Sequence, residues 1–223
     1  MLTKIKFLTA GESHGRGLIG ILDGIPSGLK IEKDFIDRQL TRRQMGYGRG
    51  GRMKIEKDQV EIWSGVRFGE TIASPIGLLV KNKDWDNWKE KMAVETKEKM
   101  PKKVTLPRPG HADLAGVEKY GFDDIRNVLE RSSARETTMR VALASVCRKL
   151  LKDIGINVAS RVTQIHNIID DSNVPDNMSA EELNEIVDKS PLRCLNSEKE
   201  QKMINVIDQA KANGDSVGGV FEV

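Results

Sequence analysis

The feature that most constrains this chain is a change in the period of its apolar residues. Over roughly the first eighty positions, short apolar runs alternate with glycine-bounded turns, the pattern of strands. The candidate strands are Ile5 to Leu8, Leu18 to Ile25, Val60 to Val66 and Ile76 to Val80, with one helix from Glu32 to about Gln44 carried by Phe35, Ile36 and Leu40. Further on the spacing becomes helical. Ser133 and Glu136 form a capping-box signature ahead of Met139, Ala142, Leu143, Val146 and Leu150, and that helix should end near Gly155. Ser179 and Glu182 repeat the signature before Leu183, Ile186 and Val187. Met203, Val206, Ile207 and Ala210 mark a further helix that Gly214 can end, which suggests a helical hairpin. Val158 to Ile165 reads as a strand between the long helix and this pair. Strands and helices that do not alternate regularly predict an α+β fold and argue against a doubly wound one.

Composition narrows the function. With 38% apolar residues and 20 glycines in 223 positions, the chain has enough material for a buried core. A net charge of only +3 provides no global field for nucleic acid or anionic membrane, so any anion preference must be local. No apolar run reaches transmembrane length and the start of the chain lacks a secretion signal's apolar core, so a soluble, cytoplasmic protein is expected. Cys147 and Cys194 stand apart and suggest neither a disulfide framework nor a zinc site. The terminal segment Val220 to Val223 reads as a strand that stops without a covering element, which suggests part of a longer protein.

Four segments have chemical character. Between Arg38 and Lys54 lie Arg42, Arg43, Arg49 and Arg52 with Gly46, Gly48, Gly50 and Gly51, and no acidic residue. Guanidinium forks pair two-pronged with phosphate or carboxylate, and glycines admit an anion close to backbone amides. The G-x-G-x-x-G pattern at Gly46 to Gly51 is not a dinucleotide fingerprint, because a helix precedes it and a strand follows. As an RNA contact it offers only Tyr47 for stacking. His14 within Gly11 to Gly15, and His111 within Arg108 to Asp113, sit in small, glycine-flanked settings suited to proton transfer. Ser13 and Asp113 are their neighbours; His166 at a strand end has no such setting. Arg131 to Thr137 opens the long helix, where two arginines and two hydroxyls join unpaired amides as a candidate anion site. No ligand spacing for a metal is present, so none is expected.

Taken together, Gly11 to Gly15, Arg42-Arg43-Gln44 with Gly46 to Met53, Arg108 to Asp113, Arg131 to Thr137 and Gly214 to Gly219 closely resemble the chorismate synthases, in family order and over the N-terminal portion of such enzymes. The resemblance implies a single domain over residues 1–223 that lacks its C-terminal part. It also implies anti-1,4-elimination of phosphate from 5-enolpyruvylshikimate 3-phosphate with reduced FMN, NADPH serving only as a possible source of flavin reduction. By motif position Arg43, Arg49, Arg108 and Arg135 are expected to bind substrate, and Arg131, Ser132 and Ser133 to contact FMN. His14 is expected to protonate the departing phosphate and His111 the reduced flavin, with Ser13 and Ser132 as relay partners. A homotetramer is implied, with no nucleic-acid or membrane partner. The alternative is a non-catalytic FMN or polyanion-binding module that keeps the arginines and does not depend on the histidines.

Overall fold

The early apolar runs become a four-stranded antiparallel sheet. The computed structural model describes residues 4–48 and 56–223, which fall into two units, one of residues 4–41 and 56–149 and one of residues 42–48 and 150–223. In the first, strands β1 (Lys6–Gly11) and β2 (Gly17–Asp23) are followed by helix α1 (Lys33–Gln44), β3 (Val60–Ser64), a small ribbon of β4 (Val66–Arg67) and β5 (Glu70–Thr71), and β6 (Ile76–Lys81). A 3-10 turn at Lys83–Asn87 leads on to helices α2 (Asp113–Tyr120), α3 (Arg126–Arg131) and α4 (Glu136–Asp153). The sheet order is β1-β2-β6-β3.

Register decides which side is core. Leu18 pairs with Val80, Gly20 with Leu78 and Leu22 with Ile76, so these alternate residues share one face, and all but Gly20 present buried apolar side chains there. Burying each large one contributes on the order of 1.5–3 kcal/mol. On α4, Met139, Ala142, Leu143 and Val146 form the buried stripe that the sequence spacing predicts. Gly20 is where helix and sheet meet, for a Cβ there would lie 2.5 Å from Met139 Sδ and 2.9 Å from Leu143 Cδ1.

In the second unit, β7 (Arg161–Ile165) is flanked by β8 (Ile168–Ile169) and β9 (Gly219–Glu222), both antiparallel to it. The apolar end of the sequence is therefore a paired strand. Helices α5 (Ala180–Val187) and α6 (Ser197–Ala212) lie between. Ser179 caps α5 with the full reciprocal box to Glu182 that its sequence signature predicts. Asn196 caps α6 by accepting from the amides of Glu198 and Lys199. Arg42 donates to Asp188 and Asn184, and Tyr47 donates its amide to the Pro191 carbonyl and its hydroxyl to Asp208. Mixed helices and sheets make the fold α+β, as expected. No helix among the described residues is long and apolar enough to cross a membrane.

Local expectations fail at the start of α4. At Ser133 and Glu136 the bonds are not those of the predicted capping box: Ser133 Oγ accepts from the Arg135 amide at 3.2 Å, and the Glu136 amide donates to the Ser133 carbonyl rather than to its hydroxyl. Ser133 Oγ also accepts from Ser13 Oγ at 2.9 Å, and the Glu136 carboxylate accepts from Thr9 at 2.8 Å and from Arg140. Nor are the amides of Glu136, Thr137 and Thr138 unpaired: they donate to the carbonyls of Ser133, Ala134 and Arg135. Arg131 belongs to the last turn of α3, not to the start of α4. Helices α2 and α3 lie in a stretch where the sequence pattern gives no helix.

Candidate active site

His14 sits in the turn between β1 and β2, and that turn is closed by backbone geometry. Gly11 ends β1 at φ 105°, and a Cβ there would lie 2.4 Å from the Gly17 carbonyl oxygen, so no other residue fits. From beneath, the buried Asn82 amide donates to the carbonyls of Glu12, Ser13 and Gly15 at 3.1, 3.2 and 2.8 Å. Asn82 Oδ1 in turn accepts from Arg135 Nε at 2.8 Å. The Arg135 guanidinium, 6% exposed, donates to Asp58 at 2.5 Å and lies 3.6 Å from Glu56; both carboxylates are also buried. A buried charge demands such a partner. The result is a continuous chain of bonds from β3's approach, through Arg135 and Asn82, into the His14 turn.

The same turn is tied to the end of α3. Ser13 donates its amide to the Glu130 carbonyl at 3.0 Å, Arg131 donates to the Gly11 carbonyl at 2.7 Å, and Ser13 Oγ donates to Ser133 Oγ. The Glu130 side chain, 2% exposed, accepts from the His14 amide at 2.7 Å and from His14 Nδ1 at 3.0 Å. On its other side the imidazole packs on Trp88, with ring centroids 3.9 Å apart. Arg126 lies over the same indole at 5.0 Å and donates to Glu130 at 3.3 Å. The Gly11 to Gly15 motif and the Arg131 to Thr137 motif, more than a hundred residues apart in sequence, thus form one site.

His111 belongs to a second cluster. Asp113, the first residue of α2, is fully buried and accepts from the Arg108 amide at 2.9 Å and from the Arg108 guanidinium at 3.0 Å. His111 Nδ1 lies 3.1 Å from Arg108 Nη2 and 3.2 Å from Asp113 Oδ1. The Arg108 guanidinium beside Asp113 holds its carboxyl down at about 2, against an ordinary value of 3.8. In consequence His111 is held by its own loop while its ring remains partly exposed.

Ser132 is exposed and, with Arg131, lines a cleft of about 480 Å³ whose other walls include Tyr120, Phe122 and Arg140. The two aromatic rings stand 5.6 Å apart, tilted by 30°. Arg43 lies on the last turn of α1, and Arg49 falls outside the described residues. Cys147 and Cys194 are free thiols whose burial pushes both pKa values up, which leaves them poorly nucleophilic. Glu130, Asn82 and Trp88 are the site residues that sequence reasoning misses.

Against known proteins, the model of the chorismate synthase family matches residues 5–223. The chain belongs to the chorismate synthase family. Among its relatives are the chorismate synthase of Enterococcus faecalis, 53% identical over 222 residues, and that of Chlorobium luteolum, 51% identical over 225 residues. Each alignment covers 98% of this chain and 57% of the relative. A solved crystal structure of a chorismate synthase superposes with a TM-score of 0.77 at 39% identity, covering 99% of this chain and 58% of that one. The chain therefore spans a little over half the length of the family members it matches.

Proposed function

We propose that this chain contributes to a chorismate synthase that eliminates phosphate from 5-enolpyruvylshikimate 3-phosphate by a 1,4-anti route. The observation that carries the reading is the junction itself: a histidine clamped between a buried carboxylate and an indole, beside a run of arginine and serine. In this elimination the ring carbon–oxygen bond breaks, phosphate departs with the bonding electrons, a ring proton is lost and a new double bond forms. Substrate and products balance without net oxidation or reduction.

His14 is the proton donor in this reading. Its Nδ1 is engaged by Glu130, so Nε2 is the nitrogen left to meet the leaving phosphate, and a proton delivered there removes charge as it develops. Arg43, Arg49 and Arg108 are the proposed substrate arginines, complementing one phosphate and two carboxylates; Arg135, expected by motif position to join them, is instead buried against Asp58, Glu56 and Asn82. Arg135 acts from behind the turn, since its fork orients Asn82 and Asn82 holds the carbonyls around His14. Ser13 and Ser132 are the proposed relay hydroxyls. Ser13 already donates to Ser133, so a proton path can run along the 130–133 segment.

The cleft beside Arg131 fits a reduced flavin mononucleotide in chemistry. Tyr120 and Phe122 offer ring faces, Arg131 offers charge for a phosphate and Ser132 a hydroxyl, while Arg140 is paired with Glu136 in the same lining; Ser133 is the remaining residue of the expected contact run. Reduced flavin, when bound, supplies electron density to the breaking carbon–oxygen bond. His111, steadied by Asp113 and Arg108, is the group proposed to hold or deliver a proton at the flavin. NADPH enters only as a possible source of flavin reduction. Family membership further supports a cytoplasmic, homotetrameric enzyme with no nucleic-acid or membrane partner.

The test is ligand binding set against turnover in His14→Ala and His111→Ala variants of the protein encoded by the complete reading frame. Retained binding of substrate and FMN with lost phosphate release supports the reading. Unchanged phosphate release in both variants removes the histidines from the chemistry and contradicts it. Binding without release in the unsubstituted protein assigns a non-catalytic binding module.

A further inference from the structure

We infer that Glu130 is a positioning residue that fixes His14 in the Nδ1–H tautomer, with Trp88 as the opposing wall that fixes its ring plane. The inference deepens the reading of His14 as proton donor and rests on it only for its effect on turnover. Its basis is the number and kind of bonds at one carboxylate. Glu130 is 2% exposed, and its two oxygens face two N–H groups of the same residue, the backbone amide at 2.7 Å and ring Nδ1 at 3.0 and 3.1 Å. Arg126 is the third group that donates to it, at 3.3 Å. An ionised carboxylate only accepts, so Nδ1 must carry hydrogen whether the ring is neutral or charged. Nε2 then alternates between donor and acceptor, as a group that gives up a proton and regains it must. Trp88 at 3.9 Å blocks rotation out of this plane. A histidine so held needs no reorganisation when its proton leaves.

The substitution that separates shape from chemistry is Glu130→Gln. A glutamine of the same size has one accepting oxygen and one donating amide. The His14 amide makes the shortest bond and can only donate, so the glutamine oxygen keeps that place and the NH₂ faces Nδ1, driving the ring hydrogen to Nε2. The tautomer is therefore expected to switch without loss of packing. Glu130→Asp keeps the acceptor chemistry and is expected to retain the Nδ1–H form.

The readout is ¹⁵N spectroscopy of labelled histidine at alkaline pH, assigned by comparison with His14→Ala. In the unsubstituted protein His14 is expected to show a pyrrole-type Nδ1 and a pyridine-type Nε2, with the two exchanged in Glu130→Gln. In the enzyme of complete reading frame, Glu130→Gln is expected to lower kcat by about 10²-fold with KM within a few-fold, since a general acid contributes roughly 10²–10⁴. Glu130→Asp should recover part of that loss. A pyridine-type Nδ1 in the unsubstituted protein overturns the inference, and this measurement needs no variant to fold. So does a Glu130→Gln protein that keeps the Nδ1–H form, or one that turns over like the unsubstituted enzyme while His14→Ala does not. If His14→Ala itself turns over normally, the proton-donor reading fails while the tautomer result still decides the role of Glu130.

Discussion

Replacing Arg135 by methionine tests the bond chain beneath the His14 turn. The side chain is 5% exposed, Asp58 is fully covered and Glu56 nearly so, and the guanidinium is the shared partner of both carboxylates and of Asn82. Methionine matches much of its length but leaves a buried carboxylate without the cation that accompanies it here. Removing one partner of such a buried pair costs about 3–5 kcal/mol. For a chain of this size each kcal/mol lowers Tm by roughly 2–4 °C, so a fall of roughly 6–20 °C is expected. Thermal and urea unfolding followed by circular dichroism measure it. Adding Asp58→Asn to Arg135→Met removes much of the stranded charge and is expected to recover part of the loss. A single variant within about 0.5 kcal/mol of the unsubstituted chain, the range of ordinary surface changes, refutes the assignment of Arg135 to a buried network.

Three further outcomes are expected. Gly20→Ala forces a methyl against Met139 and Leu143 and should destabilise the first unit by about 1–3 kcal/mol in urea unfolding, with Met139→Ala in the same chain relieving the clash; an unchanged midpoint means that α4 does not rest on Gly20. Ser179→Ala removes the α5 cap and should cost about 0.5–2 kcal/mol, seen as faster amide exchange over residues 180–183; equal exchange rates contradict the cap. Because the folded pKa of Asp113 is lowered to about 2, its contribution to stability is present above the ordinary 3.8 and is lost as pH falls through about 2. Carboxyl ¹³C shifts should therefore find Asp113 still mostly ionised at pH 3, and half-protonation near pH 4 would sink the ion-pair assignment.

How much of this was legible in the sequence depends on the range of the interaction. Strands β1, β2, β3 and β6 and helices α1, α4, α5 and α6 follow from apolar period, and the Ser179 cap follows from residues three apart, because all of these are local. Where the Ser133 box departs from expectation, the partners are distant: Thr9 and Ser13, over a hundred positions upstream, bond the side chains of Glu136 and Ser133. Helices α2 and α3 carry no apolar stripe, since the buried residue of α2 is Asp113 and those of α3 are Val128 and Glu130, and they gain stability from contacts such as Gly116 on Val128. At the site, the two histidine motifs were visible as unusual local compositions. Their supports were not: Glu130 reads as an ordinary helical glutamate, Asn82 as a residue ending a strand, and Trp88 as one of two tryptophans in a charged segment. Each gains meaning only from a partner brought up by the fold.

The most direct measurement of the account is anaerobic phosphate release from 5-enolpyruvylshikimate 3-phosphate with chemically reduced FMN, using this chain, the protein of complete reading frame, and its His14→Ala variant. Release by the complete protein is expected, with a loss of about 10²–10⁴-fold in the variant while substrate and flavin still bind. A folded complete protein that binds both ligands and releases no phosphate, or a His14→Ala variant that releases it undiminished, contradicts it.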